Sequence, residues 1–158
     1  MLTIFNETRW IKDEKVKVRH TEGDAKIVTD TQFVIHQPTT GTTRSTHIDN
    51  PLEIYAGLLY MRQRGDDAKG GDFVIYDAPE IDKVVAKTGR EIPKDIEKKE
   101  HKKITYKENT FVMFLNTNKS VHGVTPRENA LHDRLSINII AEAEKKLGPL
   151  FKLNEIIQ

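Results

Sequence analysis

Apolar and polar residues alternate in short runs along most of this chain. The runs are Gln32–His36, Arg44–Ile48, Ile54–Arg62, Asp72–Tyr76, Lys103–Tyr106, Thr110–Leu115, Ser120–Val124 and Arg134–Ala141. Residues two apart on an extended chain share a face, so each run predicts a strand with one side turned to a core. Turn formers separate them: Pro38-Thr39-Thr40-Gly41, Asn50-Pro51, Gly70-Gly71, Asn116-Thr117-Asn118 and Pro126-Arg127-Glu128-Asn129. Many short strands with closely spaced turns predict an all-β sandwich or barrel rather than parallel βαβ units. Ahead of them, residues 1–30 are polar, and pieces such as Val16-Lys17-Val18 and Ala25-Lys26-Ile27-Val28 read as edge strands or short turns. Residues 78–102 interrupt the pattern with a run of Lys and Glu, read as a solvated excursion at the barrel mouth with a helical tail. Across Ala141–Gln158, Leu147, Leu150, Phe151, Asn154 and Ile157 follow a helix-like stripe broken by Gly148-Pro149. That stripe would cover one sheet or bury against a second copy of the chain.

Composition narrows the function classes. At 158 residues the chain is expected to form one domain over 1–158. A formal charge of +1 offers no electrostatic case for nucleic acid or for an acidic membrane face. No run of 18 apolar residues occurs, so no membrane span is expected. The first ten residues lack the basic start and apolar run of a secretion signal. Cysteine is absent, which excludes disulfides, thiolate metal sites and cysteine nucleophiles, and suits a cytoplasmic location. Any metal must therefore sit on histidine and carboxylate.

Three passages carry candidate chemistry. In His47-Ile48-Asp49 both polar side chains would reach one ion if the strand persists through Asp49, and Asn50-Pro51 then ends the strand at a sheet rim. Alone, the spacing equally describes a surface histidine near an aspartate. His122 lies on another β segment, where a hydrogen-bonded core histidine is the plainer reading. Two histidines and one carboxylate would make a facial triad with three open coordination positions. The strictly alternating Arg134-Leu135-Ser136-Ile137-Asn138-Ile139-Ile140 puts Arg134, Ser136 and Asn138 on one face, where a guanidinium and a hydroxyl could grip a carboxylate. An exposed strand face with a surface arginine remains the alternative. His20, His36, His101 and His132 have no ligand partner at useful spacing, and His36 is the nearest rival because it lies on a strand before the site. Lys98-Lys99-Glu100-His101-Lys102-Lys103 mixes its charges and reads as a solvated face.

Taken in order, His-x-Asp is followed 73 residues later by His122 and 12 residues after that by Arg-x-Ser. Over roughly residues 32–141 the chain resembles the 2-oxoglutarate- and Fe(II)-dependent oxygenases, particularly their prolyl hydroxylase branch. The resemblance rests on His47-Ile48-Asp49-Asn50-Pro51; on Tyr55-Ala56-Gly57-Leu58-Leu59-Tyr60-Met61 leading to Gly70-Gly71-Asp72-Phe73; on Phe111-Val112-Met113-Phe114-Leu115 followed by His122; and on Arg134-Leu135-Ser136. It implies a double-stranded β-helix (a jelly-roll, cupin-like barrel) with minor helical segments. It implies Fe(II), 2-oxoglutarate and O2 as cofactor and co-substrates, and leaves room for ascorbate as an auxiliary reductant. His47, Asp49 and His122 would be the iron ligands, Arg134 would pair with the distal carboxylate of 2-oxoglutarate, and Tyr60 and Ser136 would add hydrogen bonds. An acidic ligand at Asp49 fills the position that halogenating relatives leave to halide, which favours hydroxylation. The sequence departs from the branch at Gln37, which stands where some members have a tyrosine before the proline, and in having only about thirty residues ahead of the core, which makes a homodimer or docking partner more plausible. The expected substrate is a peptidyl proline or similar residue. Hydroxylation of a free amino acid or other small metabolite, and a β-barrel that binds metal or carboxylate without turnover, are the alternatives.

Overall fold

Strands account for the regular structure throughout the residues that the computed structural model describes, namely 15–17, 24–38, 45–79, 92, 96–117 and 119–143. They are β1 (Lys15–Lys17), β2 (Asp24–His36), β3 (Glu53–Tyr60), β4 (Phe73–Asp77), β5 (Lys99–Ile104), β6 (Thr110–Leu115), β7 (His122–Val124) and β8 (Arg134–Ala143). A five-stranded sheet runs β1-β2-β8-β3-β6 and a three-stranded sheet runs β5-β4-β7, with every pair antiparallel. The fold is all-β, a double-stranded β-helix, as the alternating runs and the family resemblance predict.

β8 organises the larger sheet. It pairs with β2 from Ile27↔Ala143 to His36↔Arg134 and with β3 from Glu53↔Glu142 to Tyr60↔Ser136. Because opposed residues of an antiparallel ladder project from the same face, these registers build rows across the sheet. One row is Val34, Ser136, Tyr60 and Thr110; the next is Gln32, Asn138, Leu58 and Val112. The inward rows face the smaller sheet, where buried Tyr60 and Val112 meet buried Phe73 and Tyr106, with Leu58, Ile75, Ile104 and Phe114 packed around them. Burying an aromatic or large aliphatic side chain stabilises by about 1.5–3 kcal/mol, so this cluster fixes how the sheets face each other. On the opposite face of β2, Phe33 and Ile35 stay more than half exposed.

Several sequence expectations change. The Arg44–Ile48 run does not form a regular strand where it is described: His47 makes one isolated bridge with His122. That rung has both backbone bonds, His47 N–H to His122 O at 2.9 Å and His122 N–H to His47 O at 3.0 Å, so it extends the smaller sheet by a single residue. β2 starts at Asp24 rather than Gln32, because its backbone partner β8 also runs on to Ala143, and an exposed outer face tolerates the polar residues. The Lys103–Tyr106 run is strand only through Ile104: β5 is Lys99–Ile104, and Tyr106 lies beyond its end. The expected helical tail of the charged insert is thus a strand, made so by pairing with β4. Nor is the insert wholly solvated, since Ile92 is buried with Ile48 and Val121, and Ile96 packs against them. No helix forms among the described residues, and none there is long and apolar enough to cross a membrane. The helix expected after Ala143 lies outside the described residues.

Candidate metal centre and co-substrate cavity

Local backbone geometry brings three ligand types to one point. The single rung holds His47 and His122 opposite each other, with their rings 4.4 Å apart between centroids. Ile48 turns away into the cluster of Ile92 and Val121, and Asp49 returns to the side of His47. His47 Nε2 lies 3.3 Å from Asp49 Oδ1, and His122 Nε2 lies 3.4 Å from Asp49 Oδ2. All three residues are buried, and their ligand atoms lie within 4.8 Å of one another. Cis donors on an octahedral ion bonded at about 2.1 Å sit roughly 3 Å apart, so the spacing fits.

The tautomers sharpen the fit. His47 Nδ1 donates to Ser45 O at 2.6 Å and His122 Nδ1 donates to Ser120 O at 2.8 Å. A carbonyl can only accept, so in the neutral ring Nδ1 carries the hydrogen and Nε2 presents a lone pair. Both lone pairs then face carboxylate oxygens, an arrangement that repels until a cation or proton stands between them. His47 Nε2 is buried with no hydrogen-bond partner. A carbonyl fixing the far nitrogen is also the usual outer support of a metal-bound histidine. The residues therefore fit a divalent ion. Phe114 and Phe73 pack the His122 ring at 4.7 and 5.3 Å. Asn116 locks the loop after Asp49: its amide nitrogen donates to Asn50 O at 2.7 Å and Glu53 O at 3.1 Å, while its oxygen accepts from Ser120.

A cavity of about 170 Å³ opens from this centre between the sheets. His47, Asp49, His122, Arg134, Ser136 and His36 all contribute to its wall. Arg134 is almost wholly buried; its Nε donates to Gly71 O at 3.1 Å, and its Nη2 has no partner. The guanidinium carbon lies 4.9 Å from the Tyr60 ring centre and 5.0 Å from that of Tyr106. Burial lowers the Arg134 pKa, and the two tyrosines counter that shift; arginine's basicity keeps it charged. Burial pushes the Tyr60 hydroxyl up to about 12 against the opposing pull of Arg134, and that hydroxyl makes no hydrogen bond of good geometry. Ser136 donates to Asn138 Oδ1 at 3.2 Å. A buried cation with an unmet donor on a cavity wall suits a carboxylate.

Behind Arg134 lies a scaffold that sequence reasoning missed. Tyr106 is fully buried and takes the Leu135 amide proton at 2.9 Å. Arg62 and Arg127 approach its ring at 5.5 and 5.9 Å. Arg127 meets both oxygens of Asp66 at 3.0 Å and donates to His132 O at 2.8 Å, while Arg62 donates to the carbonyls of Asp66, Tyr106 and Ala68. Gly71, whose carbonyl holds Arg134, follows Gly70 at φ +76°, where an added Cβ would lie 1.8 Å from Pro126 O. Only glycine fits there.

Of the residues picked from sequence, His47, Asp49, His122, Arg134 and Ser136 share one cavity. Tyr60 packs beside Arg134 rather than on the wall. His36, ranked below them, is on the wall. Gln37 is exposed just past β2. His101 pairs with Asp77 at the surface, and His20 lies outside the described residues.

A double-stranded β-helix whose cavity is lined by two histidines, an aspartate and a buried arginine has the donor set of a non-haem metal oxygenase. Residues 14–141 match the family model of the 2OG-Fe(II) oxygenase superfamily, and the chain belongs to that superfamily. The match starts eighteen residues before the resemblance seen in the sequence. The protein is a 2-oxoglutarate-dependent Fe(II) dioxygenase, which takes Fe(II), 2-oxoglutarate and O2. No curated protein and no solved structure matches the chain.

Proposed function

We propose that His47, Asp49 and His122 hold the iron, that Arg134 anchors the distal carboxylate of 2-oxoglutarate, and that the enzyme hydroxylates a peptidyl proline or similar residue. The convergence of the triad and Arg134 on one cavity carries the reading of the site. Iron and 2-oxoglutarate together supply the oxidising chemistry: O2 is split, the co-substrate leaves as succinate and CO2, and one oxygen atom enters a substrate C–H bond. The chain's own residues bind and orient. His47 and His122 give neutral nitrogen ligands because their other nitrogens are committed to carbonyls. Asp49 adds one negative charge. Arg134 balances the distal carboxylate away from water, where a charge-assisted pair is strong. Phe73, Phe114 and Ile140 exclude water from the walls.

The choice of a prolyl residue rests on the resemblance carried by His47-Ile48-Asp49-Asn50-Pro51 and by the order of the later motifs. Under anaerobic conditions Fe(II) and 2-oxoglutarate should develop a weak visible charge-transfer band with the protein. Succinate release should then rise with proline-containing peptides and not with free proline. A colourless mixture removes the proposed site, and stimulation by free amino acids alone transfers the substrate to the small-metabolite class.

A further inference from the structure

His36 is the last residue of β2 and stands directly opposite Arg134 in the β2–β8 ladder. Opposed residues of an antiparallel pair project from the same face with neighbouring Cβ atoms. Both side chains accordingly reach the cavity wall. The imidazole is not satisfied there: His36 Nδ1 is buried and has no hydrogen-bond partner. Buried polar atoms rarely stay unmet. A second orphan on the same wall is Arg134 Nη2. Structural packing would not leave two polar groups of paired strands unmet on one wall; an anion entering the cavity would meet both.

Charge agrees with this. Burial first, and the Arg134 guanidinium second, lower the His36 pKa. The ring is therefore neutral beside the arginine, adds no second cation to an empty cavity, and can present its N–H to an incoming carboxylate.

We propose that His36 is a further co-substrate-binding residue, its imidazole hydrogen-bonding the carboxylate that Arg134 holds. The proposal rests on the reading of the Arg134 end as the 2-oxoglutarate subsite. Its test is calorimetric titration of 2-oxoglutarate into Mn(II)-loaded protein, with His36→Ala, His36→Gln and Arg134→Ala beside the wild type. The expected result is a dissociation constant raised about tenfold by His36→Ala, the size of one hydrogen bond to a charged group. His36→Gln, which keeps an N–H donor, should recover most of the loss, and Mn(II) affinity should not move. An unchanged constant in His36→Ala with a large rise in Arg134→Ala overturns the role of His36 and leaves the subsite standing. No change in either variant overturns the subsite itself. Should His36→Ala fail to fold, imidazole nitrogen resonances of wild-type protein loaded with Zn(II) decide the matter: those of His36 should shift on adding 2-oxoglutarate, and an unmoved pair overturns the proposal.

Discussion

His122 commits one ring nitrogen to a backbone carbonyl and turns the other toward Asp49, so the tautomer of its neutral ring is set by the fold. As a proposed ligand it is irreplaceable by packing alone. His122→Ala should lower divalent-metal affinity by more than about a hundredfold and abolish succinate formation; retained turnover would mean that another group holds the metal. Tyr60 makes a different prediction. An exposed tyrosine ionises near 10.0, and burial pushes this one up to about 12. The unfolded chain thus loses its proton first, so the stability Tyr60 contributes is intact below pH 10 and is lost as pH rises through 12. Urea unfolding followed from pH 9 to 12 should show that decline, and Tyr60→Phe should flatten it. At this scale the sequence was half legible. His47, Asp49, His122, Arg134 and Ser136 could be found because alternation and order mark them. Tyr106, Asp66, Arg127 and Asn116 could not, since each is tied to another element by a partner 29 to 66 residues away and no local pattern announces such a buried pair.

Elements decide how firmly those residues are held. The segment bearing Asp49 is not a strand, and Asn116, at the end of β6, fastens it through two donated bonds and one accepted bond. Asn116→Ala should cost about 2–4 kcal/mol of folding stability and should also weaken metal binding, which denaturation with and without Mn(II) would separate. Equal losses in both conditions would show that the loop has no bearing on the site. The strand pattern was legible wherever alternation reported a buried face, as in Thr110–Leu115 and in β8 from Arg134. It failed at Arg44–Ile48, because a one-rung bridge needs no run of alternating residues. It failed again at Lys99–Ile104, where an almost wholly exposed, charged strand carries no hydrophobic signal and exists because β4 pairs with it.

For the whole molecule, a hydrophobic cluster joins the two sheets, and the His47–Asp49–His122 group joins the smaller sheet to the loop that leads into β3. Without a cation the second contact sets lone pairs against a carboxylate. Adding Mn(II) at about a hundred times its dissociation constant should stabilise the fold by about 2.7 kcal/mol and raise Tm by roughly 5–10 °C. A chelator should reverse the rise, and Asp49→Ala should lack it. A shift of equal size in that variant would place the bound ion elsewhere.

The lone rung between positions 47 and 122 has a bearing on which ion arrives. Its paired amide bonds set the spacing of the two imidazoles before any metal enters, so the coordination shell needs no assembly. As the proposed metal site, a vessel already shaped in this way would accept nickel, cobalt or zinc more readily than iron, since the ordinary ranking of divalent ions puts iron near the bottom. Occupancy inside a cell is then governed by supply, and protein recovered from different growth media should carry different metals in the same three-residue cradle.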